Sequence, residues 1–205
     1  AIGQLRDLLE LCDLHLEDEN RFVLPALEAR RPGVTERNAE EHVSHGQAIS
    51  ALRREAAIVE RCTAADRPMA MLALYRRLGL FVAENFEHMH YEETRLMPAL
   101  WAEYPDEALT GIEAAIVASI PPMLMARALH WFLPALPHPE RVGMLSGMRE
   151  NAPPGAFAGA LEIARERLTL RDWRRLAEAL GLPSGDATVE AVAATVGGLR
   201  IAERW

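Results

Sequence analysis

The chain has 205 residues, half of them hydrophobic, a net charge of -8 and two cysteines. That length fits one domain of ordinary size, or one with an appendage. The acidic balance, with no basic stripe, excludes an electrostatic case for nucleic acid.

The longest apolar stretch, residues 120–136, contains Arg127, His130 and three prolines, so no membrane span is expected. No signal-peptide pattern is visible, and Cys12 and Cys62 both fall inside helical patterns. A reduced, cytoplasmic chain is therefore expected rather than a disulfide scaffold.

Residues 2–31 predict one amphipathic helix, because Leu5, Leu8, Cys12, His15, Glu19, Phe22 and Ala26 step by three and four. Pro25 predicts a bend, since it removes a donor and crowds the carbonyl one turn earlier. Arg30 to Gly33 end the helix. Thr35 is the expected N-cap of a second helix over 36–63, whose stripe runs Asn38, His42, His45, Ile49, Leu52, Ala56 and Val59. After a turn capped by Asp66, a third helix over 67–103 carries Leu74, Leu78, Phe81, Asn85, His88, Glu92 and Leu96 on one face. The connections are short, so these helices should pack antiparallel. Thr110 and Glu113 read as a capping box opening a helix to about 119.

From residue 121 onward, paired prolines cut the chain into short helices. They are expected over 122–135, 139–150, 154–166 and 170–180, the last capped by Thr169 and ended by Gly181. A further short helix is expected within 183–205. With no strand pattern, the fold class is all-α: an up-and-down bundle over 1–120 and a helical C-terminal extension over 121–205.

One pattern occurs twice in the bundle. His15 and Glu19 precede Pro25-Ala-Leu, and His88 and Glu92 precede Pro98-Ala-Leu, with identical spacing. Residues i and i+4 share one helix face, and both pairs continue a core stripe. A carboxylate on such a stripe is costly unless paired or bound to metal. An isolated pair of this kind is usually a surface contact, and an acidic run such as Glu17 to Glu19 is usually solvated. Two copies in the same core register favour a metal site, which bundles build from facing helices. His42 and His45, on the connecting helix, are further candidate ligands between which spacing does not choose. Asn85 is a candidate outer partner of His88. Cys12 reads as a small core residue that could also line the site.

Imidazoles and carboxylates together suit iron or manganese better than structural zinc, although an imidazole-rich site is also compatible with zinc. Ferritin-like di-iron sites use Glu-x-x-His, which fits this chain less well.

With these residues in place, the sequence resembles the hemerythrin family, specifically its bacterial members with the His-His-Glu cation-binding pattern. The correspondence runs through His15/Glu19, His42 or His45, and His88/Glu92, and the stretch from Phe81 to Trp101 is typical of the group. The resemblance implies a four-helix bundle holding a non-haem di-iron centre. It implies dioxygen, or another small diatomic or peroxide ligand, as the partner. Such domains usually begin with a further helix that supplies another His. That helix is then outside this sequence, replaced by 106–119 without a His, or supplied by a partner chain in a homodimer.

Three readings follow. The first is a di-iron protein that binds dioxygen or senses oxygen, redox or iron status. The second is an enzyme using the same site on peroxide or nitric oxide, which would require a proton donor near the open position. The third is a metal-free helical interaction module, in which replacing the histidines would be harmless or stabilising.

Overall fold

The computed structural model describes residues 1–182, and the helix expected within 183–205 lies outside the described residues. All regular structure among them is helical, and the chain divides into two compact units, Ala1–Ile120 and Pro121–Trp205. No single helix among the described residues is long and apolar enough to cross a membrane.

In the first unit the chain runs α1 (Ile2–Asp18), a π-helical turn (Glu19–Val23), α2 (Leu24–Arg30), α3 (Glu36–Arg61), α4 (Arg67–Tyr91), a second π-helical turn (Glu92–Leu96), α5 (Met97–Glu103) and α6 (Asp106–Ser119). The disturbance expected at Pro25 takes the form of the first π turn, and Pro98 has its own. The Leu24 N–H donates to the Glu19 carbonyl, and the Met97 N–H to the Glu92 carbonyl, each spanning five residues. A proline ring crowds the carbonyl one turn earlier. The widened turn just before each proline takes up that crowding, and helical backbone continues on both sides.

Three of the expected caps are replaced by other contacts. Thr35 flanks α3, but its hydroxyl donates to Glu28 Oε2 at 2.7 Å. Glu28 also accepts the Gly33 N–H, and Gly33 turns the chain with φ +85°. Asp66 does not cap α4; its carboxylate accepts the Thr63 hydroxyl at 2.7 Å. α6 opens at Asp106 after an extended Pro105, five residues earlier than the capping-box reading, and the Thr110 hydroxyl donates to the Asp106 carbonyl within the helix. Asp106 and Glu107 in the first turn favour that earlier start by offsetting the positive helix end.

Two apolar clusters form the core of this unit. One joins Leu5, Leu9 and Leu16 of α1 to Ile49, Leu52, Ala56 and Val59 of α3 and to Leu74 and Phe81 of α4. The other joins Val23, Leu24 and Leu27 to Leu96, Ala99 and Leu100, with Leu109, Ile112 and Ile116 of α6 packed against them. Truncating a fully buried leucine such as Leu9 or Leu52 would cost about 2–5 kcal/mol. Along both motif helices the His and Glu fall between residues of the first cluster and residues of the second. The polar layer therefore lies between two dry ones.

The second unit contains α7 (Pro122–Ala135), α8 (His138–Asn151), α9 (Pro154–Arg167) and α10 (Leu170–Ala179). Extended Pro121, Pro137 and Pro153 each precede a helix with another proline in its first turn. There a missing N–H costs nothing and the fixed φ suits the helix. Thr169 caps α10 by accepting the Asp172 N–H, as expected. Gly181, at φ +65°, ends it, and the Leu182 N–H reaches back to the Ala177 carbonyl at 2.8 Å. Leu129, Leu133, Leu145, Phe157, Leu161, Trp173 and Leu176 form the core of this unit.

Candidate metal centre

The two repeats come together as their shared register requires. His15, Glu19, His88 and Glu92 each offer one ligand atom, and these atoms all lie within 4.8 Å of one another. The carboxylates stand at the first residue of the two π turns, one turn beyond their histidines. Glu92 occupies the middle of the group. Its oxygens lie 2.9 Å from His88 Nε2, 3.8 Å from His42 Nε2 and 3.9 Å from His15 Nε2. Glu19 lies 3.5 Å from His15 Nε2 and 3.3 Å from His42 Nε2.

The structure separates the two histidines of α3. His42 reaches both carboxylates. His45 is buried against α4, with its ring 4.7 Å from that of His88 and 6.1 Å from that of Phe81, and its Nδ1 has no hydrogen-bond partner. His15 is the open side of the group: its side chain is 37% exposed, against 1% for His88.

Three outer contacts complete the geometry, and stripe reading reaches none of them. Asn38, fully buried, donates from Nδ2 to Glu92 Oε1 at 2.7 Å. His42 Nδ1 meets Asn20 Oδ1 at 2.8 Å, and His88 Nδ1 meets Glu41 Oε2 at 2.9 Å. Amide and carboxylate oxygens accept, so both rings donate their Nδ1–H outward and turn Nε2 toward the carboxylates, where a cation can take the place of its proton. Asn85, the expected partner of His88, instead donates to the Phe81 carbonyl at 2.8 Å. It spends its amide within its own helix, while Glu41 arrives from α3. Asn38 stood on the predicted stripe, but only the pairing of α3 with α4 reveals its partner. Cys12 is a free, half-buried thiol packed against the first apolar cluster, and burial raises its pKa.

The electrostatics show what a cation would replace. Burial opposes a charge on His42, but the adjoining Glu19 and Glu92 carboxylates outweigh it and lift its pKa to about 9. His88 moves in the same direction, burial being outweighed by Glu92 and Glu41. Burial likewise opposes the charge on Glu92, yet His42 and His88 hold its carboxyl well below the ordinary range. His45 moves down, through burial first and then the neighbouring His88 and His42. Bound protons thus serve as the counter-charge of the carboxylates, a role a metal takes over when it displaces them.

The donor set fits a metal ion. His15 Nε2, His42 Nε2, His88 Nε2 and Glu19 Oε2 are all buried atoms without a hydrogen-bond partner. Buried polar atoms are ordinarily satisfied, and four orphans converging on one spot are what a ligand set looks like without its ion. Among the described residues this is the one group of three or more His, Cys, Asp or Glu arranged to hold an ion. The three remaining histidines are not in the group: His90 lines a polar surface pocket with Arg37 and Tyr91, His130 packs edge-on against Trp131, and His138 opens α8.

The family model of the hemerythrin HHE cation binding domain matches residues 1–109. No curated protein and no solved structure matches the chain significantly.

Proposed function

The chain belongs to the hemerythrin family of HHE cation-binding domains, and we propose that its cation is iron, held as a non-haem di-iron centre that binds dioxygen or reports oxygen, redox or iron status. The observation that carries this reading is the convergence of three buried Nε2 atoms on two carboxylates. Imidazole with carboxylate is a donor set for iron or manganese in a redox role, whereas closed structural zinc sites are built chiefly from sulfur and nitrogen.

His15, Glu19, His42, His88 and Glu92 are the residues that would hold the metal, and His45, packed on the His88 ring with an unpartnered Nδ1, stands beside them without reaching either carboxylate. Glu92 meets three imidazoles and would be the carboxylate that two ions share. Asn38 fixes the orientation of Glu92 by donating to Oε1. Asn20 and Glu41 fix the tautomers of His42 and His88. The apolar clusters flanking the polar layer keep bulk water out, and the half-exposed His15 marks the side from which a small ligand would enter. Iron bound here would supply reversible electron transfer and an open position for a diatomic ligand.

The test is optical. Ferrous iron is loaded without oxygen, air is admitted, and oxygen is then removed. A visible band that appears with air and disappears on deoxygenation is expected for reversible binding. No band, from protein that holds iron, would contradict the dioxygen reading.

A further inference from the structure

The cation site has a second layer that is not symmetric, and its strongest member is outside the motif. Glu41 lies on α3, one residue before His42 and at the edge of the stripe that carries His42 and His45. Its Oε2 accepts from His88 Nδ1 at 2.9 Å, across the packing of α3 on α4. Its Oε1 accepts from Arg37 Nε at 2.6 Å, one turn earlier on the same helix. The Arg37 guanidinium lies over the Tyr91 ring, 4.1 Å from its centroid, so it too is held from α4. Both carboxylate oxygens are thereby committed, one to a half-exposed cation and one to an almost wholly buried imidazole.

We propose that Glu41, clamped by Arg37, is the positioning residue of His88: it locks the ring orientation, keeps the proton on Nδ1 and leaves Nε2 as the donor toward the cation site. This rests on the reading that the His-Glu cluster holds a metal. A carboxylate behind an imidazole ligand fixes its tautomer and strengthens it as a donor, and such partners matter nearly as much as the ligands. The three imidazoles facing the carboxylates are then graded. His88 is backed by a charged carboxylate, His42 by the neutral amide of Asn20, and His15 has no such contact among the described residues. The arrangement makes His88 the strongest imidazole donor and lets an exposed ion pair, Arg37 with Glu41, set the donor strength of a buried ligand.

The test is the affinity of the full chain for ferrous iron, measured without oxygen against a chromophoric chelator, in wild type, Glu41→Ala, Glu41→Gln and Arg37→Gln. Cobalt(II) spectra of the same proteins report the ligand field directly. Glu41→Ala should weaken iron about 10- to 100-fold and shift the cobalt bands. Glu41→Gln, which keeps an acceptor oxygen without the charge, should recover part of the loss, and Arg37→Gln should show a smaller weakening. Wild-type affinity in Glu41→Ala, or a Gln variant no better than the Ala variant, would overturn the proposal while leaving the metal reading intact. If Glu41→Ala fails to fold, Arg37→Gln decides, and unchanged affinity and cobalt bands there overturn the proposal. A wild-type chain that takes up no iron or cobalt would instead remove the metal reading, and this proposal with it.

Discussion

The two His-x3-Glu repeats are the same in spacing and different in circumstance. In the second, His88 and Glu92 are almost wholly buried, backed by Glu41 and Asn38. In the first, His15 is 37% exposed and Glu19 12% exposed. Spacing therefore decides where a side chain points, while the neighbouring helix decides how firmly it is held. α3 lies against α4 with Asn38, Glu41 and His42 all turned to the second repeat, whereas only His42 turns to the first.

The largest expected effect breaks the symmetry of the repeats outright. Glu92→Ala removes the carboxylate that three imidazoles share and should strip the protein of metal. Glu19→Ala removes the less embedded one and should leave a measurable fraction bound. Elemental analysis of the two variants, purified side by side, checks this; equal loss would mean that the second repeat holds no privileged position.

The next effect is on stability. Asn38→Ala withdraws the buried donor to Glu92 and should cost the metal-free protein about 1–3 kcal/mol in urea unfolding. Asn20→Ala, at an exposed amide, should cost the smaller amount typical of one hydrogen bond, about 0.5–1.5 kcal/mol. A reversed order would argue that the first repeat is the more constrained.

A smaller effect lies in the pH dependence of the metal-free protein. The pKa of His42 is raised to about 9 in the folded state, above its ordinary value of about 6.5 when unfolded. Its contribution is fully present below pH ~6.5 and is lost as pH rises through about 9. The melting temperature of chelator-stripped protein should therefore fall between those values, and His42→Gln should flatten the decline. Because His42 faces both Glu19 and Glu92, a slope unchanged in His42→Gln would mean that the repeats do not share this proton.

Much of the fold was legible because it rests on apolar periodicity. Leu5 on the first helix and Ile49, Leu52 and Ala56 on the second stood on the expected stripes and are buried, whereas Leu8, expected on the same face as Leu5, is 40% exposed and its neighbour Leu9 takes the core position. The proline pairs likewise announced the starts of α7, α8 and α9. Caps were less legible. Thr35, Asp66 and Thr110 have the right chemistry for capping, but each hydroxyl or carboxylate found another partner close by.

The π turns showed in sequence only as prolines, which mark crowding without saying how the backbone relieves it. In the site, the facing residues could be read from one helix at a time, and the outer partners could not. Asn20 and Glu41 each sit one residue off the motif stripe and become meaningful only once α3 is placed against its neighbours. The same placement distinguishes His42, which reaches both carboxylates, from His45, which packs against Phe81 and His88.

The most direct test of the central claim is the metal content of the full chain, loaded with ferrous iron in the absence of oxygen, passed through desalting and measured by elemental analysis beside His88→Ala. About two irons per wild-type chain are expected, as a di-iron bundle requires, and little or none in the variant. A wild-type chain that emerges without metal, or a His88→Ala protein that retains the full complement, would contradict that claim.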